Sequence, residues 1–290
     1  MIIMEIKKIA MVGLGTMGNQ IAMQCALCGY EVHGYSRRQT TVDKAQAFSN
    51  DWFAKRVAKG KMTQEEADEV QGRLTWTNDL EKACTGVDLV LEAVADVIDT
   101  KKKVLAQVDA IAPEHVIYAS NSSYIVSSHF CDAVKHPERV CNLHFFNPAL
   151  VMKCVEVVKG PHVDPEIIDI MVDFVKSIKK VPSVVNKEVY GFIVNRIFSA
   201  MTKEACYIYD QGIASVEDID NAVKNALGHS MGPLEILDMT GIDLEYDVLM
   251  QKYRLTGDLA DKPSPGLVEH YAKGEYGRKT GKGWYEYPAK

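Results

Sequence analysis

A chain of 290 residues with a formal net charge of −6 is long enough for two medium domains, and it lacks the basic excess that a phosphate backbone requires, so a nucleic-acid partner is excluded. Its apolar residues come in short groups, none near the roughly 18 consecutive positions of a membrane span. The opening MIIMEIKKIAMVG runs into a strand without the layout of a secretory signal, so a cytoplasmic protein with no membrane partner is expected.

The first predicted element is a strand from Ile6 to Val12, followed by the turn Gly13-Leu14-Gly15-Thr16-Met17-Gly18 and a helix from Met17 to Cys28. In this context the three glycines have separate tasks. Gly13 permits the tight turn, Gly15 lets a pyrophosphate approach the backbone, and Gly18 lets the helix pack close to the sheet. The amides and positive end of the helix complete an anion site. Cys25 and Cys28 form a CxxC inside this helix; without a second cysteine pair they read as buried small hydrophobes, and no metal site is expected.

A second strand, Glu31 to Tyr35, ends at Ser36-Arg37-Arg38, about 20 residues past the first glycine, where an NAD site carries an acid for the ribose hydroxyls. A serine and two arginines there suit a 2′-phosphate that a carboxylate would repel. NADP is therefore the preferred cofactor and NAD the alternative. Next come a helix from Val42 to Ala58 and a helix–turn–helix stretch from Lys55 to Val70, with Thr63 and Glu66 at capping-box spacing. Together they predict a helical hairpin projecting from the sheet.

Strands then alternate with helices: Leu74 to Thr77, Asp88 to Leu91, a helix from Thr100 to Ala110, a strand from Val116 to Ala119, a helix from Ser127 to Lys135 and a strand from Val140 to His144. A strand-like KCVEVV segment, a helix from Pro165 and a strand from Val181 to Val185 follow. Beyond them the pattern is helical: Phe192 to Asp210, Val216 to Ala226, Leu244 to Tyr253 and Gly266 to Ala272. The fold class is α/β, with a Rossmann-like dinucleotide-binding domain over residues 1–188 and an all-α domain over 189–290.

Polar residues gather at predicted strand ends, where open α/β sheets bind ligands. Asn121-Ser122-Ser123 follows one strand and His144 closes the next. An imidazole there can take the proton of a substrate hydroxyl while hydride leaves the same carbon, and Glu156 can orient it from the neighbouring strand-like segment. Ser123 and Asn195 supply hydrogen bonds of the kind a developing oxygen charge needs, although a turn role and a helix-packing role explain them equally well. GxSxG and HExxH motifs are absent, which favours acid–base hydride transfer over nucleophilic or metal chemistry.

The chain resembles the 3-hydroxyacyl-CoA dehydrogenases, in particular the bacterial short-chain, 3-hydroxybutyryl-CoA type. The matching segments are GLGTMG (13–18), KGKMTQEEADEV (59–70), NSS (121–123), HFFNPALVMKCVEVV (144–158), GFIVNR (191–196), MGPLEILDMTGID (231–243) and GRKTGKGWYEY (277–287). The resemblance implies reversible hydride transfer at C3 of a short-chain acyl-CoA thioester. His144 would be the base and Glu156 its partner, with Ser123 and Asn195 on the reacting oxygen or thioester. It further implies that the hairpin helps hold coenzyme A, for which Lys59 and Lys61 are suitable, and that the chain forms a homodimer.

Three departures stand out. Ser36 replaces the common acid. Ala95-Asp96-Val97 stands where the family has Glu-Asn, leaving Asp96 and the nearby Glu92 as possible cofactor contacts beside Asn121. Where the family reads Asn-Thr-Ser-Ser-Leu, this chain reads Asn121-Ser122-Ser123-Tyr124-Ile125. The rival enzyme reading is a related NAD(P)-dependent dehydrogenase of a small free hydroxy acid.

Overall fold

The computed structural model describes residues 5–288. Its contacts divide the chain into two units, one ending at Ile193 and one beginning at Val194. The first unit runs β1 (Lys8–Val12), α1 (Thr16–Leu27), β2 (Glu31–Tyr35), α2 (Gln39–Ala58), α3 (Gln64–Gly72), β3 (Leu74–Thr77), α4 (Leu80–Cys84), β4 (Leu89–Glu92), α5 (Ile98–Asp109), β5 (Ile117–Ser120), β6 (Val140–Phe145), β7 (Cys154–Val158), α6 (Pro165–Ser177) and β8 (Val181–Val185).

These eight strands form one sheet in the order β3-β2-β1-β4-β5-β6-β7-β8. Every neighbouring pair is parallel except β6 and β7. Alternation along β1 shows why the strands read as continuous apolar runs: Ile9 and Met11 join the core under α1, α2 and α6, while Ala10 and Val12 join the core under α4 and α5. A sheet covered on both faces needs apolar residues at every position. Strand order reverses at β1, between β2 and β4, which makes the end of β1 a topological switch point.

The hairpin forms as the capping box requires. Thr63 Oγ1 accepts the Glu66 amide at 3.1 Å and Glu66 Oε2 accepts the Thr63 amide at 2.8 Å, which starts α3 after the Gly60 turn. Cys25 is buried and unbridged, Cys28 is half-buried, and burial pushes both thiols up, away from the reactive thiolate.

One predicted helix does not form. Between Ser127 and Lys135 the chain makes short 3-10 turns, Ser127–His129 and Cys131–Ala133, with a third at Pro137–Arg139. Side chains from elsewhere claim the amides at its start: Asn142 Oδ1 accepts from Ser127 N at 2.7 Å and Glu188 Oε1 from Ser128 N at 2.9 Å. These bonds fix the start of the segment, and the 3-10 turns that follow close on i to i+3 pairs such as Phe130 N to Ser127 O at 3.1 Å and Ala133 N to Phe130 O at 3.1 Å.

The second unit contains α7 (Val194–Asp210), α8 (Val216–Leu227), α9 (Pro233–Thr240), α10 (Ile242–Thr256) and α11 (Pro265–Lys273) around Leu234, Leu237, Ile242, Leu267 and Trp284. No helix is expected between Ala226 and Leu244, yet α9 forms there; Pro233 is its first residue, a position where the lost N–H has no partner to miss. Buried Asp220 caps it by accepting the Leu234 and Glu235 amides, each at 2.9 Å. Buried Asp238 accepts the Trp284 and Tyr285 amides and the Tyr287 hydroxyl, all at 2.9 Å, and so ties the last segment to α9.

By its contacts the chain divides after Ile193. Phe192 packs with Val126, Val158 and Val185, which holds this stretch to the first unit.

Candidate active site

The glycine turn has the shape its spacing predicts. Gly13 sits at φ +103°, and a Cβ there would lie 2.6 Å from Ala93 O; a Cβ on Gly18 would lie 1.8 Å from Gly13 O. Neither position tolerates a side chain. A Cβ on Gly15 would meet nothing within 4 Å, so the turn presents bare backbone to open space. Leu14 is buried beneath it, whereas Thr16 and Met17 begin α1, whose first turn carries no acid and no side-chain cap. Free amides, the positive helix end and an open approach fit a pyrophosphate.

The Gly13 amide donates to Tyr35 O at 2.9 Å, which brings the end of β2 against the turn. Beyond it Ser36 is half-buried and Arg37 and Arg38 are exposed. Arg38 precedes α2, which also lacks an acid in its first turn and a side-chain cap.

Farther along the sheet, antiparallel pairing sets His144 of β6 directly opposite Glu156 of β7. Their side chains meet, His144 Nδ1 to Glu156 Oε2 at 2.7 Å, with the histidine 3% exposed and the glutamate 0%. The second carboxylate oxygen accepts the Ile193 amide at 2.9 Å. With the carboxylate accepting, Nδ1 carries the ring proton and Nε2 is the acceptor, 3.1 Å from Ser123 Oγ. The result is a hydrogen-bonded row Ser123–His144–Glu156 whose inner end is dry and whose outer end is half-exposed.

Several residues that the sequence reading did not single out hold this row. Asn142 precedes His144 by two positions, and its side chain engages Ser127 N at 2.7 Å and Ile125 O at 3.0 Å, fixing the loop that carries Ser123. Phe146 meets the imidazole edge-on at 4.5 Å and buried Phe192 lies 5.6 Å away. Gly191 and Phe192 have φ of +77° and +46°. For phenylalanine that left-handed conformation costs about 1–3 kcal/mol, and it turns the chain so that the Ile193 amide meets Glu156. The period-two pattern of β6 pointed to Asn142; nothing in the sequence pointed to Phe192.

Among the expected cofactor contacts, Asn121 accepts the Phe145 amide at 2.8 Å and ties the loop to the end of β6. Glu92 is engaged internally. Only 1% exposed, it receives Lys101 Nζ at 2.9 and 3.1 Å, Ser120 Oγ at 2.7 Å and the Val94 amide at 2.5 Å. Asp96 lies at the exposed edge of the same cluster, 3.2 Å from Lys101. Lys59 caps α2 and Lys61 follows it, both exposed on the hairpin. Asn195 lies in the first turn of α7, in the second unit.

A sheet that carries a phosphate turn at its switch point, and polar groups at the carboxyl end of a strand farther along, belongs to the class of dinucleotide-dependent dehydrogenases. Residues 8–189 match the family model of the 3-hydroxyacyl-CoA dehydrogenase NAD-binding domain, and residues 191–287 match that of its C-terminal domain. The chain belongs to the 3-hydroxyacyl-CoA dehydrogenase family. It is 36% identical to a 3-hydroxybutyryl-CoA dehydrogenase of Clostridioides difficile over 97% of this chain and 99% of that protein. It is 33% identical to the human mitochondrial hydroxyacyl-coenzyme A dehydrogenase, over 97% of this chain and 91% of that one. The crystal structure of (S)-3-hydroxybutyryl-CoA dehydrogenase from Ralstonia eutropha superposes with a TM-score of 0.91 at 33% identity, covering 98% of this chain and 100% of that one.

Proposed function

We propose that this protein is a 3-hydroxybutyryl-CoA dehydrogenase that interconverts a short-chain 3-hydroxyacyl-CoA and its 3-keto form. The observation that carries the reading is the hydrogen-bonded row from Ser123 through His144 to Glu156. In the oxidative direction His144 Nε2 takes the proton of the 3-hydroxyl, and in the reductive direction it returns that proton to the keto oxygen. A nicotinamide dinucleotide held at the Gly13–Gly18 turn would supply the hydride chemistry at C3. Glu156 holds the imidazole in one tautomer and stabilises the imidazolium that forms. Ser123 donates to the substrate oxygen, where charge grows in the transition state, and the resemblance assigns Asn195 to substrate binding as well. The thioester stays intact throughout.

NADP is the preferred cofactor in this reading. Ser36 donates to a 2′-phosphate, Arg37 or Arg38 pairs with it, and the uncapped start of α2 adds free amides. Glu92, Asp96 and Asn121 line or brace the nicotinamide side, Lys59 and Lys61 meet the phosphates of coenzyme A, and the protein works as a cytoplasmic homodimer. Exposed apolar residues on the second unit, among them Ile197, Ile213, Leu244 and Leu255, support the dimer.

The test is steady-state reduction of acetoacetyl-CoA with either cofactor, with free acetoacetate as control. Turnover of the thioester alone is expected. His144→Gln and Glu156→Gln are expected to bind cofactor and fold as the parent does, with His144→Gln lowering kcat about 10²–10⁴-fold. Near-normal kcat in purified His144→Gln sinks the base assignment, and equal turnover of free acetoacetate sinks the acyl-CoA assignment.

A further inference from the structure

We infer that the Tyr124–Tyr190 pair limits the acyl chain that the site accepts, by occupying the space into which substrate carbons beyond C4 must extend. The inference rests on the proposed acyl-CoA reading.

Tyr124 follows Ser123, whose hydroxyl is 3.1 Å from His144 Nε2. The oxygen on C3 has to reach both groups, and the Tyr124 Cα is one residue, about 3.8 Å, from that of Ser123, so the backbone that carries the Tyr124 ring borders the reacting carbon. One substituent leads to the thioester and the other is the acyl tail. Tyr124 stands where the resembled motif has its second serine, so a ring replaces a hydroxymethyl group beside the reacting carbon.

Tyr190 keeps that ring from swinging aside. The two ring centroids are 4.7 Å apart and tilted by 31°. Tyr190 belongs to the same turn that fixes the His–Glu pair, since Phe192 is buried near the imidazole and the Ile193 amide is on Glu156. Both tyrosines are half-buried, which leaves part of each ring open to a bound molecule. Moving Tyr124 to admit a longer tail means breaking the ring pair and shifting a turn whose backbone is already constrained at Gly191 and Phe192. A methyl group at C4 requires no such movement.

The experiment compares kcat/KM for four-carbon acetoacetyl-CoA and a ten-carbon 3-ketoacyl-CoA in the parent, Tyr124→Ser, Tyr124→Phe and Tyr190→Ala. Tyr124→Ser is expected to raise the ten-carbon to four-carbon ratio about tenfold or more, chiefly through a lower KM for the longer substrate. Tyr190→Ala moves the ratio the same way by less, and Tyr124→Phe keeps the parent ratio because the ring, not its hydroxyl, excludes the tail. A ratio unchanged in both Tyr124→Ser and Tyr190→Ala, or a parent that already uses the two substrates equally, overturns the inference while leaving the proposed activity standing. Absence of parent turnover on either thioester removes the proposed activity and this inference with it.

Discussion

Ser36 decides more chemistry than its size suggests, because it stands where a carboxylate would set the cofactor. The Gly13 amide on Tyr35 O fixes the end of β2 beside the phosphate turn, and in the proposed reading the residues after Tyr35 would meet the adenine ribose. An acid there would repel a 2′-phosphate, whereas serine with two arginines attracts it. The parent is expected to favour NADPH over NADH in kcat/KM, and Ser36→Asp to lower that ratio about tenfold or more; a strong NADH preference in the parent ends the NADP reading. At this scale much of the candidate site was legible. His144 and Glu156 were visible because a polar residue at the end of a buried strand is costly and therefore conspicuous, and the glycine turn because its steric demands leave no alternative residue. Phe192 and the Ile193 amide were not legible as supports, since what each touches is set by tertiary contacts rather than by neighbours in sequence, and the strand period marks only the face on which Asn142 lies.

The elements were legible where periodicity or capping determines them, and less so where tertiary contacts intervene. The capping box at Thr63 marked α3 correctly, while the expected helix at Ser127 gave way to 3-10 turns, with the Ser127 and Ser128 amides held by Asn142 and Glu188. Helix α5 shows the same dependence on distant partners. Its Lys101 is 0% exposed and bonds Glu92 at the end of β4, which in turn accepts from Ser120 at the end of β5. One buried cation thus holds three elements at the carboxyl end of the sheet, and the apolar pattern of α5 gave no sign of it. Lys101→Met leaves the Glu92 carboxylate uncompensated in a dry interior and is expected to lower the unfolding free energy in urea by about 3–5 kcal/mol. Adding Glu92→Leu should restore part of that loss, because it removes the stranded charge. A double variant less stable than Lys101→Met alone counts against the electrostatic account.

Stability is expected to carry a pH dependence that originates in the helical unit. Glu245 on α10 is pushed up from 4.5 to about 7 by burial, with a Thr202 hydrogen bond opposing the shift only in part. Asp238, which clamps the last segment, is also raised by burial. A carboxyl whose folded pKa lies above its unfolded value keeps its proton in the folded state over a range in which the unfolded chain has released it. Its contribution is therefore fully present below about 4.5 and is lost as pH rises through about 7. A shift of that size corresponds to at most about 3 kcal/mol. Glutamine has the same shape and does not titrate, so the stability of Glu245→Gln relative to the parent should grow between pH 5 and pH 8, approaching that limit in urea or thermal unfolding. A difference that stays constant over the interval shows that Glu245 ionises as freely in the folded chain as in the unfolded one. No sequence pattern warns of this, since Glu245 reads as an ordinary charged position near the start of a helix; its burial depends on how α10 packs within the second unit, which no local pattern records.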